Sequence, residues 1–461
     1  MVPLTLRQVR QAVGGKALTV IAENAPPVSA VCTDTRKMEP DSLFIAIVGD
    51  AFDGHAFLKN AAAGGATALL VSKPPAEPIP NVAIIQVPDT RVALGKLAKF
   101  VRQQFRSKII AVAGSNGKTT TKHLIHAALR GRLKGTISPK SYNNDIGVPL
   151  TIFPANPSHD YLVLEIGTNH HGEIKPLSEM SLPDIAVITN CGAEHLEGLG
   201  DLMGVRRENA QIIAGLNPKG LLIVNGDDPE LLTAVNDWPG RKLTFGFKAT
   251  NDLFATDVKC TARGTEFSMN KRPQRVFVPM LGRHSAANAL AAIAVARSMR
   301  LPEEAIIESL AKSDGPEMRL QLQTAGSVAI LNDAYNANPN SMRAAIETLA
   351  ELESAGRKIA VLGDMRELGD SSERYHREIG TFAATAGKID RLICVGVQAR
   401  YIADAALAAG FPQDQIMRFD DAKSAAAGVA EIIQPGDLVL VKASRGIQLE
   451  AVANAIAARN I

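Results

Sequence analysis

The stretch that decides the fold is KIIAVAGSNGKTTTKHLIHAAL, residues 108–129. A short apolar run leads into a glycine-containing loop, and an alanine-bearing segment with helical spacing follows at once. Glycines let backbone N–H groups approach phosphate oxygens closely, and the start of a helix adds favourable dipole charge. The sequence therefore predicts a strand, a phosphate-binding loop and a helix in succession. The residues predicted to bind the nucleotide are Gly114, Ser115, Asn116, Gly117, Lys118, Thr119 and Thr120.

The loop itself indicates that an anion is bound. Lys118 opens the predicted helix, where a lysine opposes the helix dipole unless an anion lies against it. We expect Lys118 to neutralise the β- and γ-phosphates of ATP, and the Thr119 hydroxyl to bind magnesium. The spacing Gly-x-x-Gly-Lys is shorter than that of a Walker A loop, which would need glycine at Val112. A turn that merely joins a strand to a helix is the alternative.

Apolar runs on both sides of the loop predict an α/β fold. YLVLEI, DIAVITN and GLLIVN are each followed by polar or glycine-rich turns, and SVAILNDAY, RKIAVLGD, DRLICVG and DLVLVKAS repeat the pattern further along. Continuous apolar strands alternating with helices predict parallel sheets covered on both faces. A chain of 461 residues exceeds one hydrophobic core. The predicted division is an N-terminal domain (1–85), a linker helix (86–107), a central domain (108–314) and a C-terminal domain (315–461).

Composition is that of an ordinary globular protein, with 46% hydrophobic and 21% charged residues. A net charge of +3 and 4% aromatic residues give no support for a nucleic-acid partner or a membrane-surface partner. The sequence lacks a run of about 18 uncharged apolar residues, so we expect no membrane span. The four cysteines show neither metal-ligand nor redox spacing, which favours a cytoplasmic protein.

Two further polar side chains are predicted at the edge of the sheet that carries the loop. Glu165 ends the run YLVLEI, and His195 follows DIAVITN. Ligands bind at the carboxyl ends of the strands in open α/β sheets. A carboxylate and an imidazole suit magnesium and phosphate chemistry. We therefore predict Thr119, Glu165 and His195 as magnesium ligands, and Lys118, Glu165 and His195 as catalytic residues. Taken singly, Glu165 could be a capping carboxylate and His195 a structural histidine.

These motifs resemble those of the Mur ligase family. AGSNGKTT, LEIGTN and the segment around His195 are similar to the family's central ATPase domain. GRHSAANALAA (282–292) resembles the family's Gly-x-His-x-x-x-Asn-x-x-x-Ala segment, which implies that His284 and Asn288 lie near adenine and ribose. The resemblance implies three α/β domains: a central P-loop parallel-sheet ATPase domain, an N-terminal UDP-substrate domain and a C-terminal Rossmann-like ligase domain.

Further motifs resemble the branch of the family that adds D-alanyl-D-alanine. They are TDTRKMEPDSLFIAIVGDAFDGHAFL (33–58), SYNNDIGVPLT (141–151), NDAYNANPNSM (332–342), VLGDMRELG (361–369) and VKASRG (441–446). The resemblance implies contacts to the UDP-linked substrate from Thr35, Arg36, Asn143 and Asn144, to the nucleotide from Arg319 and Asp333, and to D-alanyl-D-alanine from Tyr335, Asn336 and Asn338. Asn-Ala-Asn-Pro also favours a turn without any ligand.

The reaction that the resemblance implies is ATP-dependent amide formation. D-Alanyl-D-alanine would be joined to UDP-N-acetylmuramoyl-tripeptide through an acyl phosphate, with Mg²⁺, in cytoplasmic peptidoglycan synthesis. We expect small-molecule substrates only, no nucleic-acid or membrane partner, and a monomer. One position departs from the pattern: Asn209 falls where many relatives carry a lysine that becomes carbamylated. An asparagine cannot form a carbamate, so a second magnesium would have to be held differently.

Two alternatives stay open at this point. A related Mur or folylpolyglutamate-type ligase would add a different amino acid, but the diaminopimelate- or lysine-adding branch shows Asp-Asn-Pro-Arg where this chain has Asn-Ala-Asn-Pro. The folate branch lacks the domain that residues 33–58 resemble. A nucleotide-dependent switch is the alternative from another class, and it would hydrolyse ATP without either co-substrate.

Overall fold

The computed structural model describes residues 1–21, 24–49, 52–156 and 158–459. Within these ranges the chain forms three sheets, of five, nine and six strands, each with helices packed on it. The predicted α/β class with three domains is confirmed. Asp50 and Ala51, which belong to the motif 33–58, lie outside the described residues. The same holds for Asn460 and Ile461 at the end of the predicted C-terminal domain.

The N-terminal domain is built on a mostly parallel sheet with strand order β1-β5-β4-β3-β2. Strands β2 to β5 are parallel, and the two-residue strand β1 pairs antiparallel to β5. Its elements are α1 (Leu6–Val13), β1 (Lys16–Ala17), β2 (Ala30–Cys32), β3 (Ser42–Ile45), α2 (Leu58–Ala63), β4 (Ala66–Val71) and β5 (Ala83–Gln86), followed by α3 (Thr90–Arg102).

Helix α3 occupies most of the predicted linker, 86–107. It starts at an Asp89 cap, whose carboxylate accepts from two backbone N–H groups, and it ends at Arg102. Leu94 and Leu97 are fully buried in a core that extends from the N-terminal sheet to one face of the central sheet. The helix is thus packed between two domains, and it fixes their relative position through apolar contact.

The central sheet has the strand order β14-β13-β12-β11-β10-β9-β6-β8-β7. Its elements are β6 (Lys108–Ala113), α4 (Lys118–Arg130), β7 (Gly135–Ile137), α5 (Gly147–Ile152), β8 (Tyr161–Glu165), α6 (Ile174–Ser181), β9 (Ile185–Ile188), α7 (Leu196–Leu199), α8 (Leu202–Ala210), β10 (Leu221–Asn225), α9 (Pro229–Ala234), β11 (Arg241–Gly246), β12 (Leu253–Thr261), β13 (Gly264–Met269), β14 (Arg275–Val278), α10 (His284–Ser298) and α11 (Glu303–Ala311). Strand β6 lies between β8 and β9, so the carboxyl ends of these three parallel strands meet at one edge.

An antiparallel extension of this sheet was not predicted. Strands β12, β13 and β14 form a meander at the end opposite β7. Residues of β12 alternate between covered and exposed positions through much of the strand, because one face of this strand lies open to solvent. The uniformly apolar pattern that marks the parallel strands is therefore missing there.

Helix α10 is buried on all sides through most of its length and packs on α4. Alanines make up much of its sequence, which allows the two helix backbones to approach closely. The helix belongs to the core that covers the second face of the central sheet. This packing brings the first turns of α10 against the phosphate loop.

The C-terminal sheet has the strand order β15-β16-β20-β17-β18-β19, parallel except for β15. Its elements are β15 (Gln321–Ala325), β16 (Val328–Asn332), α12 (Pro339–Glu351), β17 (Lys358–Gly363), α13 (Ser372–Thr385), β18 (Arg391–Val395), α14 (Arg400–Ala408), β19 (Ile416–Phe419), α15 (Ala422–Ile432), β20 (Leu438–Lys442) and α16 (Glu450–Arg459). One of its two cores also contains Ala193, Leu196 and Leu281 of the central domain, so these two domains share an apolar interface. None of the helices in the described ranges is both long and apolar enough to cross a bilayer.

Acid should destabilise the C-terminal domain through His376. This side chain is fully buried; its Nε2 accepts from the Met365 N–H, and its Nδ1 donates to the Ser372 carbonyl at 2.7 Å. Burial lowers the pKa of His376. The unfolded chain therefore binds more protons below the ordinary imidazole pKa of about 6.5, and the free energy of unfolding falls as pH drops through that value. Thermal unfolding at pH 7 and pH 5 should show a smaller loss for His376→Gln than for the wild type. Equal losses would contradict this.

Candidate functional site

A cleft of about 400 Å³ lies at the carboxyl ends of β6, β8 and β9, where the C-terminal domain faces the central one. The central domain lines it with Ser115, Asn116, Gly117, Lys118, Thr119, Thr120, Ser141, Asn143, Glu165, Asn169, Asn190, Glu194, His195, His284 and Asn288, among others. The C-terminal side contributes Arg319, Asp333, Tyr335, Asn336, Asn338 and Lys442, among others. Most of the predicted site residues therefore meet in one place.

The phosphate loop requires glycine at two positions. Gly114 and Gly117 have φ values of +124° and +81°, which L side chains rarely adopt. A Cβ at Gly117 would lie 2.5 Å from Asn288 Oδ1, and one at Gly114 would lie 2.2 Å from Thr189 Oγ1. Asn288 Nδ2 is buried and has no hydrogen-bond partner among the described residues. A buried donor beside the loop fits an oxygen-rich ligand such as a phosphate.

Lys118 is the first residue of α4, and its side chain folds over the loop. Its ammonium donates to the carbonyl of Gly114 and, at 3.2 Å, to that of Ser115. Glu194 Oε1 lies 4.0 Å away. Asn190, which ends the run DIAVITN, accepts from the Asn116 N–H at 3.0 Å and holds the loop from the neighbouring strand end.

Glu165 is almost fully buried, and three side chains donate to its carboxylate. Thr119 Oγ1 and Lys122 Nζ lie 2.9 and 3.0 Å from Oε2, and Asn143 Nδ2 lies 3.2 Å from Oε1. Burial lowers the pKa of Lys122, and Glu165 opposes that shift. Lys122 was not predicted as a site residue. Its only signal was a second lysine one helical turn after Lys118.

His195 has a positive φ of +49° and contacts Glu367 of the C-terminal domain through Nδ1. The adjacent His195 ring is the main reason why the pKa of Glu367 is lowered. The imidazole lines the cleft, and its Nδ1 contacts Glu367 of the C-terminal domain. His195 thus forms part of the contact between the two domains.

Arg319 and Tyr335 tie the C-terminal domain to the phosphate side of the cleft. Arg319 Nη2 donates to Thr119 Oγ1 at 2.9 Å, and its guanidinium lies 4.1 Å from the centre of the Tyr335 ring. The Tyr335 hydroxyl donates to Ser141 Oγ at 2.8 Å. Since Thr119 also donates to Glu165, one hydroxyl joins the arginine to the carboxylate.

Asn338 has two roles in the structure. Its Oδ1 caps α12, and its Nδ2 donates to Asn116 Oδ1 of the phosphate loop at 2.8 Å. The sequence allowed a turn at Asn-Ala-Asn-Pro without any ligand; in the structure Asn338 caps a helix and also lines the cleft. Asn336 contributes its carbonyl, which accepts from Lys442 Nζ at 2.9 Å.

Asp333 and Lys442 form a buried ion pair on the C-terminal side of the cleft. The distance from Lys442 Nζ to Asp333 Oδ2 is 2.6 Å, and Asp333 Oδ1 accepts from the Leu320 N–H. His284 lies nearby; burial lowers its pKa, and the Asp333 charge opposes that shift. Lys442 was in a quoted motif but was not predicted as a site residue.

Four predicted residues do not line this cleft: Gly114 at the start of the phosphate loop, Thr35, Arg36 and Asn144. Arg36 is highly exposed and pairs with Asp34 at 2.8 Å, and its neighbour Thr35 lies in the same short 3-10 turn of the N-terminal domain. Asn144 is exposed, and its Oδ1 accepts from the Gly147 N–H at the start of α5. Thr35 and Arg36 belong to the N-terminal domain, and Asn144 precedes Asp145, which pairs with Arg91 of α3.

The donor set at Thr119 and Glu165 fits a magnesium–nucleotide complex. In the described part of the chain, no group of three or more His, Cys, Asp or Glu side chains is placed to hold a metal ion. Magnesium commonly takes one or two carboxylates and completes its shell with phosphate oxygens and water. Asn209 is buried within α8, where its Nδ2 donates to the Val205 carbonyl, and it does not line the cleft.

Comparison with known proteins gave matches along most of the chain. Three family models match: "Mur ligase family, catalytic domain" at 27–102, "Mur ligase middle domain" at 112–296 and "Mur ligase, glutamate ligase domain" at 318–445. A Bacillus subtilis protein described as UDP-N-acetylmuramoyl-tripeptide–D-alanyl-D-alanine ligase is 39% identical over 453 residues, covering 98% of each chain.

Solved structures show the same relationship. A crystal structure of MurF from Acinetobacter baumannii superposes with a TM-score of 0.90 at 30% identity, covering 99% of both chains. MurF ligase from Thermotoga maritima, crystallised in complex with ADP, gives a TM-score of 0.83 at 26% identity and covers 94% of this chain and 98% of that one.

Proposed function

Since the chain belongs to the Mur ligase family, we propose that it joins D-alanyl-D-alanine to UDP-N-acetylmuramoyl-tripeptide and consumes ATP. It is an ATP-dependent ligase of peptidoglycan precursor synthesis. The single observation that supports the assignment best is the meeting of three motifs in one cleft. Arg319 of the C-terminal domain donates to Thr119 of the phosphate loop, and Thr119 donates to Glu165.

The terminal carboxylate of the tripeptide is a poor acyl donor, so the reaction requires that it first be activated. Transfer of the ATP γ-phosphoryl group to the terminal carboxylate of the tripeptide gives an acyl phosphate and ADP. The amine of D-alanyl-D-alanine then attacks the carbonyl carbon, and inorganic phosphate leaves through a tetrahedral intermediate. The protein contributes mainly orientation and charge stabilisation.

We assign the phosphate groups of ATP to the loop, with Lys118 and Arg319 as the cations beside them. Thr119 and Glu165 would hold Mg²⁺, which supplies neutralisation of phosphate charge when bound. His195, linked to Glu367, keeps the C-terminal domain beside this group. Asn288, with its unpaired buried amide, is a further donor toward the nucleotide.

The two other substrates are assigned by the positions of the remaining motifs. Asn143 Nδ2 lies 3.2 Å from Glu165 Oε1, so a UDP-linked tripeptide held by the segment 141–151 would bring its acid close to the phosphate site. Thr35, Arg36 and Asn144 would contact its nucleotide and sugar part. D-Alanyl-D-alanine would bind at Tyr335, Asn336 and Asn338, which lie on the C-terminal side of the cleft.

We place the enzyme in the cytoplasm as a monomer that needs Mg²⁺. All four cysteines are free thiols, which suits a reducing compartment. ATP and UDP-linked precursors are small molecules, and neither a nucleic acid nor a membrane enters the proposed reaction.

The experiment that tests the function is an ADP-release assay with UDP-N-acetylmuramoyl-tripeptide and a panel of single amino acids and D,D-dipeptides. We expect ADP to form only when ATP, the tripeptide substrate and D-alanyl-D-alanine are all present. Tripeptides ending in diaminopimelate or in lysine should be compared in parallel, since the sequence does not distinguish them.

Three other outcomes would point elsewhere. ADP release without either co-substrate would indicate a nucleotide-dependent switch. Release with a single amino acid in place of the dipeptide would indicate another branch of the family. Release without any added magnesium, in the presence of a chelator, would contradict the metal assignment alone.

A further inference from the structure

Lys122 is a fully buried lysine in the helix that follows the phosphate loop. Its ammonium donates to Glu165 Oε2 at 3.0 Å and to the carbonyl of Lys140. A buried charge is costly unless it is paired and hydrogen-bonded, and these two partners meet that condition. The proposed reaction assigns no role to Lys122.

The segment 138–145, which follows β7, is attached to three parts of the molecule. Ser141 Oγ accepts from the Tyr335 hydroxyl of the C-terminal domain. Asp145 pairs with Arg91 of α3 through two contacts of 2.8 Å. The segment therefore touches the C-terminal domain and the linker helix α3, while its centre rests on the central domain.

The centre of the segment is the part that Lys122 holds. Lys140 has a φ of +45°, a conformation that costs energy for any residue other than glycine, and its carbonyl points at the buried ammonium. Three residues further on, Asn143 donates to Glu165 Oε1. Lys122 thus contacts the strained residue and the carboxylate at the same time.

We propose that Lys122 is a positioning residue for the UDP-linked substrate, since it fixes the segment 138–145 and Glu165 relative to each other. The inference rests on the proposed function, in which Asn143 contacts UDP-N-acetylmuramoyl-tripeptide. Without Lys122 the strained turn at Lys140 loses its anchor, and Asn143 no longer stands beside the carboxylate. The phosphate loop keeps its own lysine, so nucleotide binding persists.

The test compares Lys122→Met with the wild type in the full-length protein. The dissociation constant for UDP-N-acetylmuramoyl-tripeptide, measured by calorimetry, and its KM should rise about 10- to 100-fold, a range typical for the loss of a side chain that orients a functional group. The KM for D-alanyl-D-alanine should stay unchanged, and so should the dissociation constant of a non-hydrolysable ATP analogue measured without magnesium, since Glu165 is proposed to contact the nucleotide through the metal. Equal effects on all three ligands, or no effect on the tripeptide substrate, would overturn the inference.

Arg102→Met is the matched control. It removes the cation of another buried ion pair, Arg102 with Asp184 at 3.1 Å, on α3 and away from the cleft. We expect a loss of thermal stability with unchanged affinity for the tripeptide substrate. A comparable loss of affinity in this variant would trace the effect to general destabilisation and overturn the inference.

If Lys122→Met does not fold, the variant Lys122→Arg still tests the inference. Lys122→Arg keeps a cation beside Glu165 but alters the contact with Lys140, so it should raise the same dissociation constant to a smaller extent; unchanged affinity in a Lys122→Arg protein would overturn the inference. Measurements on the wild type distinguish a failure of the proposed function from a failure of the role proposed for Lys122. Lack of product in the wild type would defeat the proposed function, whereas an active wild type with an unselective Lys122→Met defeats only the role of Lys122.

Discussion

Replacing Lys118 with alanine should lower turnover by at least about 1,000-fold and leave the fold intact, because preorganised charge at a transferring phosphoryl group supplies effects of that size. Lys118 opens α4 and lies over the loop, where its ammonium donates to the carbonyls of Gly114 and Ser115. Bound phosphates would take the place of these carbonyls as partners of the ammonium. The side chain belongs to none of the apolar cores, so the melting temperature should change little.

Lys108→Ala is the control for this prediction. Lys108 lies at the opposite end of β6, where its exposed ammonium pairs with Asp184 at 2.9 Å. Exposed ion pairs contribute little to stability, so this variant should keep both its turnover and its fold. The two variants are compared by measuring ADP release with all three substrates and thermal unfolding for each protein. Turnover close to normal in Lys118→Ala would refute the role assigned to this lysine.

The strands around the phosphate loop could be predicted from sequence because they are covered on both faces. KIIAVA, for example, corresponds to β6 residue for residue, and YLVLEI differs from β8 by one residue at its end. Burial on both faces leaves an uninterrupted apolar run, which is a strong local signal. In the meander, β12 and β14 alternate between more and less buried positions, so they carry a weaker signal.

The positions of Glu165 and His195 could be predicted for a related reason. Glu165 ends one recognisable strand and His195 follows another, and the carboxyl ends of parallel strands meet at one edge. The structure brings both side chains into the cleft. What the sequence could not supply is the partner of each: Glu367 lies more than 170 residues from His195, and no local pattern links two such positions.

Lys122 is a residue of the site that the sequence did not predict, and its local pattern explains why. In a helix that starts at a phosphate loop, a lysine is normally expected on a solvated face. In the fold, the segment 138–145 places the Lys140 carbonyl on the ammonium, and the Lys122 side chain is fully buried. That contact depends on a backbone conformation with positive φ at Lys140, which has no signature in the residue type itself.

Replacing Arg319 with alanine should lower kcat about 1,000-fold, the scale seen when an arginine is withdrawn from a transferring phosphoryl group. Arg319 belongs to the C-terminal side of the cleft, yet its Nη2 lies 2.9 Å from Thr119 Oγ1. Affinity for an ATP analogue should persist, since the loop and Lys118 belong to the central domain. Arg319→Lys should not restore activity, because an ammonium cannot both stack on the Tyr335 ring and donate in a fixed planar geometry.

Arg343→Ala distinguishes the proposed role of Arg319 from a loss of packing. Arg343 also lies in the C-terminal domain and stacks on an aromatic ring, 4.8 Å from the centre of Phe382, with Glu378 at 3.7 Å, but it does not line the cleft. If stacking were the main contribution of Arg319, both variants would lose activity alike. A selective loss of kcat in Arg319→Ala, with nucleotide affinity retained, would mean that the central domain binds ATP by itself and that the C-terminal domain supplies a charge needed for the chemical step.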